Sequence, residues 1–381
     1  MRLAILFDNF GPYHLARLRA TRNFGQKLGV EVMGVEIVGR SFDYAWIVPH
    51  NDIRKNIITV FPPKNDGTCK PSAYRKFLRV WQTLSSIEAD AVAIPGYQGA
   101  GPLAAIIWGK INQKTLIMMT ASTQHDKIRK PLSEWLKGLL VRRFDAALVG
   151  GKRQREYAAL LGIPSDRIFL GYDVVDNDYF AGEAQKVRQS EKYYRQLLGL
   201  PRRYFLTVSR LIPKKNLSGL IEAYAGYRRL SGGEAWDLVI CGSGPLEKAL
   251  KTQARDIPGI HFPGFKQIDQ LPLYYGLAST FILASSHFEQ WGLVVNEAMA
   301  SGLPVLVSRI CGCVPDLVRE GENGFVFDPQ DIEGMSGLMA KMSMGAVNLE
   351  TMGKASCKII AALTPETFAE NLMAAIKSVN S

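Results

Sequence analysis

The sequence predicts an α/β protein of two Rossmann-like domains facing a central cleft. Three observations predict it. Short apolar runs alternate with helix-length segments along the whole chain, the pattern of parallel strands with helical crossovers. The alternation runs through once and then begins again after a polar stretch near residues 175–202. The length, 381 residues, exceeds what one hydrophobic core usually serves, about 250–300 residues.

In the first half, Leu3–Phe7 is an apolar run ended by Asp8-Asn9-Phe10-Gly11-Pro12, a buried strand closed by a loop. The stretch His14 to Lys27 is basic and helix-compatible. Apolar runs at Glu31–Ile37, Ala91–Ile94, Thr115–Met119 and Ala146–Val149 supply the further strands. In the second half, strands are expected at Tyr204–Ser209, Asp237–Cys241, Ile260–Phe262, Thr280–Ala284 and Pro304–Ser308. Helices are expected at Asn216–Arg229, around Asn296–Ser301, and at Glu366–Val379, the last crossing back to the first domain. The expected domains are 1–180 with helix 366–381, and 181–365. The charged run Gln185–Arg195 before Leu200-Pro201 marks their junction. Ligands of open α/β sheets bind at the carboxyl ends of strands.

Composition narrows the class. Hydrophobic residues make up 47% and charged residues 21%, which excludes whole-chain disorder. No apolar run reaches the roughly 18 residues of a spanning helix, and Asp8 interrupts the N-terminal apolar run too early for a signal peptide. Five cysteines without zinc-like spacing fit a reduced, cytoplasmic compartment. The net charge is +11, unevenly spread. Residues 1–180 hold 25 Lys and Arg against 16 Asp and Glu, and the remainder 21 against 19. No nucleic-acid recognition motif accompanies this charge, so nucleic acid is not expected as a partner. The basic half points to an anionic membrane surface or an acidic acceptor.

The densest chemical signal is Phe288-Glu289-Gln290-Trp291-Gly292-Leu293-Val294-Val295-Asn296-Glu297-Ala298-Met299-Ala300-Ser301-Gly302-Leu303-Pro304-Val305. Eight residues on a continuous helix rotate roughly 80° past whole turns, so Glu289 and Glu297 would not share a face. If both serve one site, Glu289 lies in the loop before the helix and Glu297 within it. The backbone N–H groups near Trp291–Leu293 then open a helix, a natural phosphate cradle. Two cations, Arg210 and Lys215, follow the Tyr204–Ser209 strand. A planar guanidinium and a point-charge ammonium both suit a diphosphate.

This stretch resembles the donor-binding signature of the family-4 retaining glycosyltransferases of GT-B fold. Further blocks resemble the family in order: Val208-Ser209-Arg210-Leu211 with Lys214-Lys215-Asn216, Cys241-Gly242-Ser243-Gly244-Pro245, Gly264-Phe265, Ser308 to Asp316, and Gly321 to Gly324. Val174-Val175-Asp176 with Phe180 resembles the hinge segment. The likeness is strong over roughly 140–330 and weak before it. Asp316 stands where Glu is usual, and Gln290 puts a side chain where relatives often have glycine.

The resemblance implies a hexosyltransferase that uses a nucleotide-diphosphate sugar, UDP-glucose by family base rate. The acceptor would be a growing polysaccharide, glycolipid or lipid-linked saccharide, and the enzyme would be cytoplasmic and peripheral on the inner membrane face. It implies Arg210, Lys215, Glu289 and His125 as catalytic candidates. It implies Gly11, Gly242, Gly244, Phe265, Trp291, Gly292, Leu293 and Glu297 around the donor, with Glu297 on the ribose hydroxyls. Tyr13, His14 and Asp126 are acceptor candidates, although a core or capping role for Tyr13 and His14 is an equal reading. No metal or other cofactor is expected. Asp176-Asn177-Asp178 reads as a turn in the hinge, and Cys311-Gly312-Cys313 as a loop rather than a ligand pair. The rivals are a sugar-phosphate synthase of the same fold and a non-catalytic sugar-binding protein. Two basic amphipathic segments, Lys70–Ile87 and Ser133–Phe144, read as core-facing stripes or as membrane-docking faces.

Overall fold

A computed structural model describes residues 1–39, 46, 52–62, 71–126 and 128–380. Cys69, Lys70, His50 and Lys127 lie outside the described residues. Among the described residues the first sheet has seven parallel strands. They are β1 (Arg2–Phe7), β2 (Glu31–Val38), β3 (Ile57–Phe61), β4 (Ala91–Pro95), β5 (Thr115–Thr120), β6 (Ala146–Val149) and β7 (Ile168–Leu170), in the order β3-β2-β1-β4-β5-β6-β7. The second has six: β8 (Tyr204–Val208), β9 (Asp237–Cys241), β10 (Ile260–Gly264), β11 (Thr280–Leu283), β12 (Val305–Ser308) and β13 (Gly324–Phe327). Their order is β10-β9-β8-β11-β12-β13. Both sheets are doubly wound, with the strand order reversing between β1 and β4 and between β8 and β11.

The strands read as continuous apolar runs because both faces are covered. On β1, Leu3, Ile5 and Phe7 enter one core cluster with Phe368, Leu372 and Ile376 of the last helix. Ala4 and Leu6 enter another with Val80, Leu84 and Trp108. Strands β3, β7 and β13 are short apolar runs absent from the expected set, and all three are edge strands. A short edge strand needs less apolar surface to be held than a central one.

The first compact unit comprises 1–124, 128–175 and 363–381. The second comprises His125–Lys127 and Asp176–Ala362. The expected limit at 180 falls inside helix Asn177–Gln189. Asp176 caps that helix by accepting from the Tyr179 amide at 3.1 Å, and Phe180 packs edge-on to Tyr275, ring centroids 6.0 Å apart. The charged run near Gln185–Arg195 is therefore helix, continued by helix Glu191–Leu198, and lies within the second unit. Lys186, Glu191 and Lys192 face solvent, Arg195 turns inward to donate to the Leu277 carbonyl at 2.8 Å, and Ala184 and Val187 are buried.

Helix Pro365–Asn380 packs along helix Pro12–Lys27 within the first unit. Arg17, in the basic helix-compatible stretch, is buried. Its Nη2 donates to the Val174 carbonyl at 3.1 Å, and its guanidinium lies 4.9 Å from the Tyr172 ring centroid. The aromatic face and carbonyl compensate the buried cation. Phe368, fully buried beside it, is the apolar anchor of the last helix. Phe368→Ala should destabilise the first unit by about 3–5 kcal/mol through loss of burial and the cavity left. Guanidinium denaturation followed by circular dichroism measures this as a lowered first transition.

Candidate functional site

The candidate site is built from loops at the carboxyl ends of β8, β11 and β12, around the point where the strand order of the second sheet reverses. The β8 loop runs from Ser209 to Asn216. Leu211 anchors it in the core, and Pro213–Lys215 forms a single tight turn. It packs against the β9 loop: the Leu211 amide donates to the Ser243 carbonyl at 2.9 Å, and the Leu246 amide to the Leu211 carbonyl at 3.1 Å. Gly242, at φ +147°, makes the approach feasible, since a Cβ there would stand 1.8 Å from the Ser209 carbonyl oxygen. At Gly244 a Cβ would stand 2.6 Å from the Leu211 carbonyl oxygen. These two glycines, expected at the donor, have a demonstrable task in seating the loop that carries Arg210 and Lys215.

The β11 loop brings Ser285 and Glu289 to the same place. Its Ser286 amide donates to the Lys214 carbonyl at 2.9 Å, and Lys214 Nζ donates to the Phe288 carbonyl at 3.3 Å. Glu289 is only 8% exposed. Its Oε2 accepts from Ser285 Oγ at 2.8 Å and from Lys215 Nζ, and its Oε1 lies 3.7 Å from Lys214 Nζ. Burial pushes the Glu289 pKa up. The charges of Lys215 and Lys214 and the hydrogen bonds from Lys215 and Ser285 outweigh it, so the carboxyl sits below its ordinary 4.5. Burial lowers the Lys214 pKa; Glu289 opposes this, and Lys215 and Arg210 add to the lowering. Arg210 is half-buried and thus belongs to the same electropositive group.

Helix Leu293–Ala300 follows Glu289 and contains Glu297, the loop-then-helix arrangement that one shared site requires. Gly292 starts it at φ +109°, where a Cβ would meet Leu283 at 2.8 Å. The β12 loop closes on this turn, the Gly312 amide donating to the Glu289 carbonyl at 3.1 Å. Trp291 offers a ligand its main chain only: the indole is buried and donates to Asn296 Oδ1 at 2.9 Å. Glu297 is fully buried and accepts from the Tyr275 hydroxyl at 2.9 Å. Gln290 Nε2 donates to Asp126 Oδ2 at 2.8 Å, so both belong to one hydrogen-bonded pair of the second unit, while His125 beside it is exposed. Phe265 is half-buried just after β10. Asn323, in the last motif block, is structural: it is buried, accepts from the Arg319 amide at 2.7 Å and donates to the Leu317 carbonyl at 3.0 Å. Cys311 and Cys313 are buried thiols.

In the first unit, Gly11 caps helix Pro12–Lys27, and no atom lies within 4 Å of where its Cβ would be. His14 Nδ1 lies 3.0 Å from the Asn9 carbonyl and 3.4 Å from the Gly11 amide, and its ring stacks on Phe7 at 4.0 Å. Burial, then Arg17, push its pKa down to about 3, so it is a neutral capping group. Tyr13 meets Trp46 edge-on, with centroids 6.3 Å apart.

Sequence reasoning missed Ser285, Lys214 and Tyr275, which hold the two glutamates. Ser285 precedes Glu289 by four residues, but only the loop's path shows that the hydroxyl turns back onto the carboxylate.

Residues 191–356 match the family described as glycosyl transferases group 1. The GDP-mannose-dependent alpha-(1-6)-phosphatidylinositol monomannoside mannosyltransferase of Mycobacterium tuberculosis is 30% identical over 190 residues, 48% of each chain. The O-antigen chain mannosyltransferase B of Escherichia coli is 28% identical over 197 residues, 48% of this chain and 46% of that one. The chain thus spans about half the length of these relatives. The Anabaena HepE structure in complex with UDP superposes with a TM-score of 0.75 at 16% identity, covering 99% of this chain and 100% of that one. A Rickettsia africae glycosyltransferase gives 0.75 at 13%, covering 100% and 98%. Two parallel, doubly wound sheets of this kind define the GT-B fold. Within it, the likeness to the glycosyl transferases group 1 family covers residues 191–356, most of the second unit.

The held charge on Glu289 makes a pH prediction. A carboxyl whose folded pKa is depressed adds stability that is complete above the unfolded value. That stability is lost as pH falls through the folded value. Glu289→Gln should therefore flatten the acid limb of stability below about pH 4.5. Melting temperatures recorded from neutral pH downward, against the unsubstituted protein, check it.

Proposed function

We propose that this chain is a retaining glycosyltransferase. It moves a hexose from a nucleotide-diphosphate sugar to a growing polysaccharide, glycolipid or lipid-linked saccharide, working in the cytoplasm at the inner face of the membrane. The observation that supports this best is the buried Lys215–Glu289 ion pair at the strand-order reversal, with Lys214 and Arg210 beside it. Cations at this position suit a diphosphate. A carboxylate held in its charged form suits the hydroxyls of a sugar, because it only accepts hydrogen bonds. In the reaction, the bond from the anomeric carbon to the diphosphate oxygen breaks. The acceptor hydroxyl oxygen bonds to the same face of that carbon, and its proton passes to the departing phosphate. Arg210 and Lys215 stabilise the negative charge that develops there. No metal is required in this reading, so transfer should persist in EDTA.

The donor has two readings. UDP-glucose follows from the family resemblance. GDP-mannose is favoured by the names of the two mannosyltransferases similar in sequence, one of which is called GDP-mannose-dependent. A thermal-shift screen against UDP-, GDP- and ADP-sugars decides between them, because a ligand at 100 times its Kd stabilises by about 2.7 kcal/mol. No shift with any nucleotide sugar sinks the proposal. Arg210→Ala, Lys215→Ala and Glu289→Ala should each abolish most transfer while the fold persists. Normal turnover by Glu289→Ala protein would remove the assignment of this site.

A further inference from the structure

The two basic amphipathic segments of the first unit turn out to be physically different. Helix Ala73–Ser86 is conventional. Val80 and Leu84 are buried, and Phe77 and Trp81 pack onto the same core. Helix Pro131–Val141 is turned the other way. Only Gly138 and Val141 are buried. Leu132, Trp135, Leu136 and Leu139 are 70%, 61%, 51% and 39% exposed. Their i, i+3, i+4, i+7 spacing places them on one face.

Polar contacts hold this helix to the body. The Tyr157 hydroxyl donates to Glu134 Oε2 at 2.6 Å, and Lys137 and Arg129 pair with Oε1. The Arg129 guanidinium lies 4.4 Å from the Tyr157 ring centroid. The sole acidic side chain of the segment 128–143 is thereby turned inward. Surface helices normally bury their apolar stripe and expose the polar one. Here that arrangement is inverted, so the apolar face is left for something else to cover.

The surroundings indicate what covers it. Ile128, just before the helix, is 85% exposed, and Leu160 is exposed as well. Leu160 and Trp135 line one hollow of about 300 Å³, together with Arg129 and Arg142. Lys130, Arg142 and Arg143 are exposed at the two ends of the helix. The segment 128–143 carries five cations and one anion. A second copy of the chain would set these cations against one another, and like-charge juxtaposition is costly. An anionic bilayer satisfies both features, taking apolar side chains below its headgroups and cations among them. Among the described residues no helix is long and apolar enough to cross a membrane. An 11-residue helix lies in the interface instead.

We propose that helix Pro131–Val141, with Ile128 and Leu160, docks the first unit on an anionic membrane surface, and that helix Ala73–Ser86 does not. This surface is separate from the transfer site, and its occupancy is read without turnover.

The test is co-sedimentation of the full chain with phosphatidylcholine vesicles, with and without phosphatidylglycerol. The protein should bind the phosphatidylglycerol vesicles and release as salt rises. Trp135→Ser combined with Leu136→Ser should lower the partition coefficient roughly tenfold or more. Tyr74→Ser combined with Leu78→Ser, on the other helix, should leave it within about twofold. All four side chains are exposed, so melting temperatures should not move; should the first pair lower them, Leu132→Ser reads the same face alone. Undiminished vesicle binding by the Trp135/Leu136 variant overturns the proposal, as does equal binding to phosphatidylcholine alone. Loss of self-association in that variant, seen by light scattering with vesicle binding unchanged, overturns it in favour of a second copy.

Discussion

The carboxylate of Glu289 is buried yet held in its charged form, and the loops of the second unit are organised around that constraint. An ionised carboxyl leaves water only where cations and hydrogen-bond donors replace its hydration. Its partners here are Lys215 and Lys214 from the β8 loop and Ser285 from its own loop. They reach it because β8 and β11 are neighbours with crossovers departing in opposite directions. Main-chain bonds lock the three loops together, from Ser286 to Lys214 and from Gly312 to Glu289. The glycine turn after β9 seats the cation-bearing loop from the other side. A pair pre-assembled in this way needs little reorganisation when a charged ligand arrives.

The first unit repeats the strand order with a smaller version of this chemistry, a fully buried Glu36 whose Oε1 lies 3.5 Å from Arg54 Nη1. The loop after β1 is also organised by a buried carboxylate: Glu36 accepts from the Phe10 amide at 2.9 Å and from Thr59 Oγ1 at 3.0 Å. His14 is neutral and tied to the backbone. Arg17, the buried cation there, serves packing of the last helix. One topology thus presents a lysine-rich cluster around a carboxylate in one unit, and in the other a single Glu36–Arg54 pair beside backbone-capping side chains. The inverted helix Pro131–Val141 adds a third use of buried polar groups, since Glu134 and Tyr157 decide which face of a short helix meets water.

Much of the second unit was legible in advance because its signals are local. Apolar runs closed by Gly or Asp mark buried strands, and the spacing of Glu289 and Glu297, if both serve one site, requires a loop residue followed by a helical one. The compact units divide at 175/176 rather than 180, where Asp176 caps helix Asn177–Gln189, a start that the charged run further along does not mark. Strands β3, β7 and β13 escaped because apolar runs this short do not by themselves distinguish a strand from a buried piece of helix or loop. Ser285, Lys214 and Tyr275 escaped because their importance lies in side-chain partners distant in sequence or hidden by a loop's turn.

By itself, the sequence determined the doubly wound class of both halves and the loop that bears the cations. These follow from periodicity, glycine placement and spacing, which act over a few residues at a time. Only the tertiary structure decided that Lys215 and Glu289 form one buried pair. It also decided that Gly242 serves loop packing, that the Trp291 indole points into the core, and that one of two similar basic helices presents its apolar face outward. Each of these depends on groups meeting across strand order or between helices, where long-range packing, not local pattern, sets which atoms are neighbours.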